Sequence, residues 1–239
     1  ASSGSKSFTR AYGTWQYYMR ACTVTGSQSG VNTSCSNTST KTIVIQSIPA
    51  TPSAPSVPTG DSDGSFNLSW SSVSGTTYYL VEEKVGTGPW KTITSVGSSA
   101  NATVTYTRSG RSNNTYYYKV RACISAGCSV NSSSSSAINV AIKPGVPASI
   151  SAPSLHDGDF TVSWGAASGS VTKYDLDQKK GSGSYTNAYD GTARSKVFSN
   201  LSASTYVYRV RACRTTGSYT SCSGWRTSSA TVAAVPASV

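Results

Sequence analysis

Asp63-Gly64-Ser65-Phe66-Asn67-Leu68-Ser69-Trp70 returns as Asp157-Gly158-Asp159-Phe160-Thr161-Val162-Ser163-Trp164, a shift of 94 residues from position 63 to position 157. A shift of that size is a small domain, so the chain is a tandem repeat. Within the first copy Phe66, Leu68 and Trp70 alternate with Asn67, Ser69 and Ser71. Period two is the pattern of a strand with one buried face. Helical spacing is absent throughout.

Downstream a second motif recurs. Thr115-Tyr116-Tyr117-Tyr118-Lys119-Val120-Arg121-Ala122-Cys123 matches Thr205-Tyr206-Val207-Tyr208-Arg209-Val210-Arg211-Ala212-Cys213, and a third copy stands at Thr14-Trp15-Gln16-Tyr17-Tyr18-Met19-Arg20-Ala21-Cys22. Three units are therefore present, and only two carry the Trp-bearing segment. The runs between are turn formers such as Val73-Ser74-Gly75, Gly86-Thr87-Gly88-Pro89 and Gly181-Ser182-Gly183. Many short strands joined by regular turns predict an all-β sandwich. Pro49 to Pro58 and Pro144-Gly145-Val146-Pro147 are expected to form short joints that limit bending.

Composition narrows the function classes. With 37% hydrophobic and 12% charged residues in 239, the chain can build several modest cores under a surface rich in hydroxyls rather than charges. No apolar run is long enough to span a membrane, and residues 1–10 lack the apolar core of a signal peptide. The expectation is a soluble chain. Its net charge of +11, from 20 Lys and Arg against nine acids, is dispersed rather than gathered into a basic arm, so no specific nucleic-acid site is indicated. Long-range attraction for polyanions and a passive basic surface are both consistent with it.

The two motifs together resemble the fibronectin type III family. Trp70 and Trp164 fall where that family keeps a core Trp on its second strand, and Tyr78-Tyr79-Leu80 and Tyr174-Asp175-Leu176 look like its third. Tyr116 and Tyr206 take the place of the family's tyrosine corner, which ties a crossover to backbone through the phenol hydroxyl. In the first unit Trp15 stands there instead, which puts that bond in question. The resemblance implies immunoglobulin-like sandwiches: the C-terminal half of one at 1–48, complete ones at 49–144 and 145–235, and the start of a further linker or strand at 236–239. Val235-Pro236-Ala237-Ser238-Val239 resembles Val146-Pro147-Ala148-Ser149-Ile150, which points to a segment of a longer array. Copies of the chain completing the half unit are the alternative. Arg121-Ala122-Cys123-Ile124-Ser125-Ala126-Gly127-Cys128-Ser129 is similar to type III domains of large exported bacterial proteins, including those associated with RHS or YD repeats.

The six cysteines fall two to a unit, and the repeat favours pairing within each: Cys22 with Cys35, Cys123 with Cys128, Cys213 with Cys222. Such bridges across a hairpin imply an oxidising, exported location. A zinc site needs four ligands, and the sole histidine, His156, lies in another unit from the first two pairs. Asp61, Asp63, Asp157 and Asp159 precede strands, where turn-forming Asp is common, rather than forming a carboxylate pair across a cleft. No catalytic constellation, cofactor or metal site is expected.

Burying Tyr116, Tyr118 and Val120 turns Lys119 and Arg121 outward, and Arg209 and Arg211 likewise. These four are the candidate polyanion contacts. Glu83, Asp175 and Asp177 are also expected outward on the neighbouring strand, where ion pairing would be a purely structural role. Tyr79, Tyr117, Trp90 and Trp225 are placed outside the core, positioned either to pack or to stack on sugar rings. The function expected is a noncatalytic extracellular scaffold, structural or adhesive, belonging to a longer or filamentous surface protein. Its partners would be other domains of the same chain, copies of itself, or an acidic polysaccharide. The alternative is a carbohydrate-binding or spacer region of a secreted polysaccharide-degrading enzyme.

Overall fold

The structure is a computed structural model that describes residues 5–25 and 32–233. The resemblance noted at Val235 to Val239 lies outside the described residues. The first unit holds β1 (Gly13–Met19), β2 (Cys22–Thr25), β3 (Asn32–Cys35) and β4 (Ser39–Ile45). The second holds β5 (Gly60–Asp61), β6 (Phe66–Ser71), β7 (Tyr78–Val85), β8 (Lys91–Gly97), β9 (Thr103–Arg108), β10 (Asn114–Ile124), β11 (Gly127–Cys128) and β12 (Ile138–Val140). The third holds β13 (Ile150–Ser151), β14 (Leu155–His156), β15 (Phe160–Trp164), β16 (Lys173–Lys180), β17 (Thr186–Gly191), β18 (Ser195–Phe198), β19 (Ser204–Thr216), β20 (Tyr219–Cys222) and β21 (Arg226–Val232). No helix occurs among the described residues, and hence none long and apolar enough to cross a membrane.

The second and third units repeat one architecture. In the second, β5-β12-β10-β7-β8 form one sheet, with β11 on the end of β10, and β6-β9 form the other. In the third, the order β14-β21-β19-β16-β17 with β20, facing β13-β15-β18, is the same plan. Inward residues of the two sheets meet as predicted: Phe66, Leu68 and Trp70 against Val81, Tyr118 and Val120, and Phe160, Val162 and Trp164 against Leu176, Tyr208 and Val210. Each of these side chains, fully withdrawn from water, contributes about 1.5–3 kcal/mol, which the ordering of the chain largely offsets.

Tyr79, expected outside the core, is fully buried in it. It shares the inward face of β7 with Val81, stands edge-on to Trp70 with ring centroids 5.4 Å apart, and accepts a 2.7 Å hydrogen bond from the Val73 N–H at its hydroxyl. Tyr174 repeats this against Trp164 and the Ala167 N–H. The hydroxyl is satisfied, so the ring can be withdrawn at no polar cost.

The corner is conserved through all three units despite the change of residue. Tyr116 donates to the Ser112 carbonyl at 2.9 Å and Tyr206 to the Ser202 carbonyl at 3.1 Å. Trp15, which lacks the phenol, makes the bond through its indole N–H to the Ala11 carbonyl at 3.0 Å, also four residues upstream. Indole and phenol both project a donor from the far end of an aromatic body, which is all the corner requires.

The proline segments are less free than a linker reading suggests. Pro52, Pro55, Pro144 and Pro147 are buried, and Ser56 pairs with Ser69 on β6, so the segment begins the second sandwich rather than preceding it. Gly145 and Ala148 likewise donate backbone bonds to Ser168 and Ala166 of the third.

In the first unit β1 pairs β4 and β2 pairs β3, each as a two-stranded sheet. Phe8, Met19 and Ile43 remain 46–65% exposed, and with Tyr17 and Ile45 they line a cleft of about 780 Å³. The corresponding face of the complete units is covered by the sheets containing β6 and β15.

Candidate functional site

The outer faces of β7 with β10, and of β16 with β19, are the surfaces on which the candidate basic residues sit. In the third unit antiparallel register sets Asp175 opposite Arg211 and Asp177 opposite Arg209. Arg209 donates from Nε and Nη2 to Asp177 at 2.9 and 2.8 Å, and Arg211 donates from Nε to Asp175 at 3.0 Å. Both guanidiniums are also stacked: Arg209 lies 3.9 Å from the Tyr185 ring centroid and 4.3 Å from that of Trp225, and Arg211 lies 4.5 Å from Trp225. Lys173 pairs with Asp175 and Asp190, and the Asp190 carboxylate, ahead of the opposing cost of burial, raises its pKa. Every Arg-carboxylate contact here is shielded by an aromatic ring, which strengthens both interactions.

The second unit has the same face with different partners. Lys119 stands opposite Glu82, and Arg121 stands opposite Leu80, where the third unit has its acid. Glu82 accepts a 2.9 Å hydrogen bond from the Asn131 amide. Lys119 Nζ lies 4.5 Å from the Trp90 centroid, while Lys84 Nζ lies 4.5 Å from Tyr117 and 5.4 Å from Trp90. Trp90 and Tyr117 are half-buried. Among the described residues no carboxylate pairs with Lys84, Lys119 or Arg121, and Arg121 Nε, itself buried, has no hydrogen-bond partner.

Glu83, expected outward, points into the sandwich. It lies on the face of β7 that carries Tyr79 and Val81, and is 6% exposed. Arg108 grips it with bonds of 2.8 and 3.1 Å, Arg111 adds one of 3.0 Å and the Tyr118 hydroxyl one of 2.8 Å. Burial pushes its pKa up, but the hydrogen bonds from Arg108 and Tyr118 with the two guanidinium charges outweigh that and hold it below its ordinary value. Burial and the same carboxylate push the Tyr118 phenol well up. In the third unit Gln178 takes the place of Glu83, with Phe198 for Arg108 and Leu201 for Arg111, and its amide donates to Tyr208 at 2.9 Å. Burial pushes the Tyr208 pKa up to about 12. The alternation Tyr79, Val81, Glu83 already contained the inward direction; only the expectation that acids face water hid it.

The remaining acids serve turns. Asp61 Oδ1 accepts from the Asp63 and Gly64 N–H groups, Asp63 from Ser65, and Asp159 from Asn200 at 2.6 Å. Gly64 and Gly158 have φ of +84° and +118°, where a side chain would also crowd the carbonyls of Arg111 and Leu201. His156 Nδ1 sits 2.6 Å from Asp157. Asp175 approaches the third disulfide, but those sulfurs are bonded to each other and offer no thiolate to a metal.

The three bridges join directly opposed residues of antiparallel strands, with Cα atoms 4.0, 4.0 and 4.1 Å apart for Cys22–Cys35, Cys123–Cys128 and Cys213–Cys222. No free cysteine occurs among the described residues. The hairpin carrying the third bridge reaches the second unit: Tyr219 lies against Gly60, Gly217 against Asn139, and Asn139 Nδ2 donates to Ser218 Oγ at 3.3 Å. At the earlier joint Ile48 faces Gly127 of the second hairpin, beside a cleft of about 370 Å³ lined by Tyr12, Ile45, Pro49 and Ile124.

The chain is thus a tandem of fibronectin type III-like β-sandwiches, a class defined here by strand order and by the repeated core. No family model matches it, and no curated protein is similar to it in sequence. Among solved structures it is similar to the FN1–FN3 domains of chicken CNTN1, at 20% identity over 91% of this chain and 75% of that one, with a TM-score of 0.38. It is also similar to a two-domain fibronectin type III segment of chicken tenascin, at 15% identity over 76% of this chain and 99% of that one, with a TM-score of 0.48. Three disulfides in such modules fit an extracellular protein.

Proposed function

We propose that this chain is a noncatalytic, exported scaffold that holds other elements at set spacings and adheres through the outer faces of its units. Secretion, adhesion and membership of a longer surface protein of the bacterial RHS-associated kind belong to this reading. The observation that supports it best is the seating of the third hairpin on the second unit at Gly60 and Asn139. A unit that rests its stapled hairpin on its predecessor resists bending, which is useful in a spacer and irrelevant to an isolated domain. Apart from Glu82, which accepts from the Asn131 amide, the acids are committed to turns or ion pairs.

Small-angle scattering on the oxidised chain tests this directly. An elongated particle with one dominant set of dimensions is the expected result. A compact globule, or a broad ensemble of unrelated inter-unit arrangements, would remove the spacer reading.

A further inference from the structure

We infer that the outer face of the second unit, centred on Lys84, Trp90, Lys119 and Arg121, binds an anionic saccharide bearing sulfate or uronate groups. This rests on the adhesive reading above and gives it a ligand class. The inference comes from comparing one face built twice. In the third unit the two arginines are neutralised by Asp175 and Asp177 and roofed by Trp225. In the second, Leu80 replaces one acid, Glu82 is turned to Asn131, and the position of Trp225 is taken by Asn131 itself: Ser129 and Ser223 occupy equivalent rungs, bonding the Ala122 and Ala212 N–H groups. Among the described residues three cations, Lys84, Lys119 and Arg121, are left without a carboxylate, and Arg121 Nε without any partner.

The aromatic component distinguishes the ligand. Lys119 and Arg121 are two residues apart on one strand, hence about 7 Å apart, a separation that anionic substituents on a sugar chain can match. Lys119 and Lys84 both hold their ammoniums over the Trp90 ring, so cations and indole form one patch on which a sugar's anionic groups would meet the ammoniums and its C–H groups the exposed part of the half-buried indole. A long duplex would need the positive stripe to continue. Instead, Asp175, Asp177 and Asp190 interrupt it in the next unit, which favours a short anionic segment held by one module over a nucleic acid.

Titration calorimetry on the full oxidised chain tests this, with a heparin-derived octasaccharide, a uronate oligosaccharide, a neutral cello-oligosaccharide and single-stranded DNA as probes. Expected is salt-sensitive binding of the sulfated or the uronate probe, whichever arm responds naming the anionic group. The paired change Lys119→Gln with Arg121→Gln should weaken it about tenfold or more, and Arg209→Gln with Arg211→Gln should leave it within about twofold. Should the first pair fail to fold by circular dichroism, Lys84→Gln alone is expected to weaken binding measurably. No binding of either anionic sugar below about 1 mM, equal binding of the neutral sugar or of DNA, or equal loss from both paired variants would each overturn the inference. Scattering dimensions are unaffected by any of these outcomes, so the spacer reading stands or falls separately.

Discussion

Glu83 and Gln178 occupy the same site in two copies of one fold, and their surroundings have changed with them. Glu83 is met by Arg108, Arg111 and Tyr118, whereas Gln178 keeps the tyrosine, Tyr208, while Phe198 and Leu201 replace the arginines. A buried ion pair gains little over an apolar replacement of similar size, but half of one is costly. Glu83→Gln alone should therefore destabilise the second unit by about 3 kcal/mol, because two guanidiniums lose their carboxylate. Adding Arg108→Phe and Arg111→Leu should recover most of that loss in urea unfolding. The pH dependence has a definite sign. A carboxyl held below its ordinary value in the folded state contributes stability that is complete above the unfolded pKa and is lost as pH falls through the lower folded one. The second unit should lose stability on acidification below about pH 4, and the triple variant should lose less. A triple variant no more stable than Glu83→Gln, or equally acid-labile as wild type, would refute the exchange.

At the scale of the element, legibility followed periodicity. The strands β6 and β15 could be read because Phe, Leu or Val, and Trp fall every second residue, and their inward faces are where that pattern puts them. The pairing of cysteines was legible for the same reason, since the repeat marks which strand ends oppose each other. Ser132 to Ser136 could not be read, because it has neither period. There the chain pairs with β10 in steps of three. The Oγ atoms of Ser129, Ser132 and Ser135 accept from the N–H groups of Ala122, Val120 and Tyr118, and their own N–H groups donate back to the carbonyls of the same three residues. Each hydroxyl then donates to the carbonyl of the residue that follows it, Val130, Ser133 and Ser136 in turn. Side chains thus complete an edge that a regular strand would have covered. Ser132→Ala should cost about 1–3 kcal/mol by orphaning the buried Val120 N–H, while exposed Ser133→Ala should stay within about 0.5 kcal/mol. Equal effects in thermal unfolding would mean that the run is merely polar filler. The outer-face stacking was only half visible: the row of Lys119, Arg121, Arg209 and Arg211 was legible from alternation. That Trp225 and Tyr185 bracket Arg209 was not, since both arrive from loops with no periodicity.

Over the whole molecule, the decisive contacts are those between units, and they fall on the stapled hairpins. Cys213–Cys222 fixes β19 against β20, so Tyr219 is delivered to the second unit by a two-stranded ribbon rather than by a free loop. Gly60 receives it: a Cβ there would overlap the Tyr219 ring, so the approach requires the bare backbone of β5. Beyond its pairing with Asn139 of β12, Gly60 contributes nothing to the core of its own unit. Gly60→Val is consequently expected to displace the hairpin while both sandwiches unfold normally, separating the joint from the modules it connects. Spin labels on Ser133 of the second unit and Ser182 of the third, both exposed and outside the 213–222 hairpin in sequence, report the relative placement of the units by pulsed dipolar spectroscopy. Wild type should give one narrow distance distribution, and Gly60→Val a broad one with unchanged circular dichroism. Reduction of the oxidised chain should broaden it in the same way, because the ribbon then loses its constraint. If the distribution is already broad in wild type, or stays narrow in the variant, the hairpin is a passive neighbour and the units are tethered only by Pro144 to Pro147.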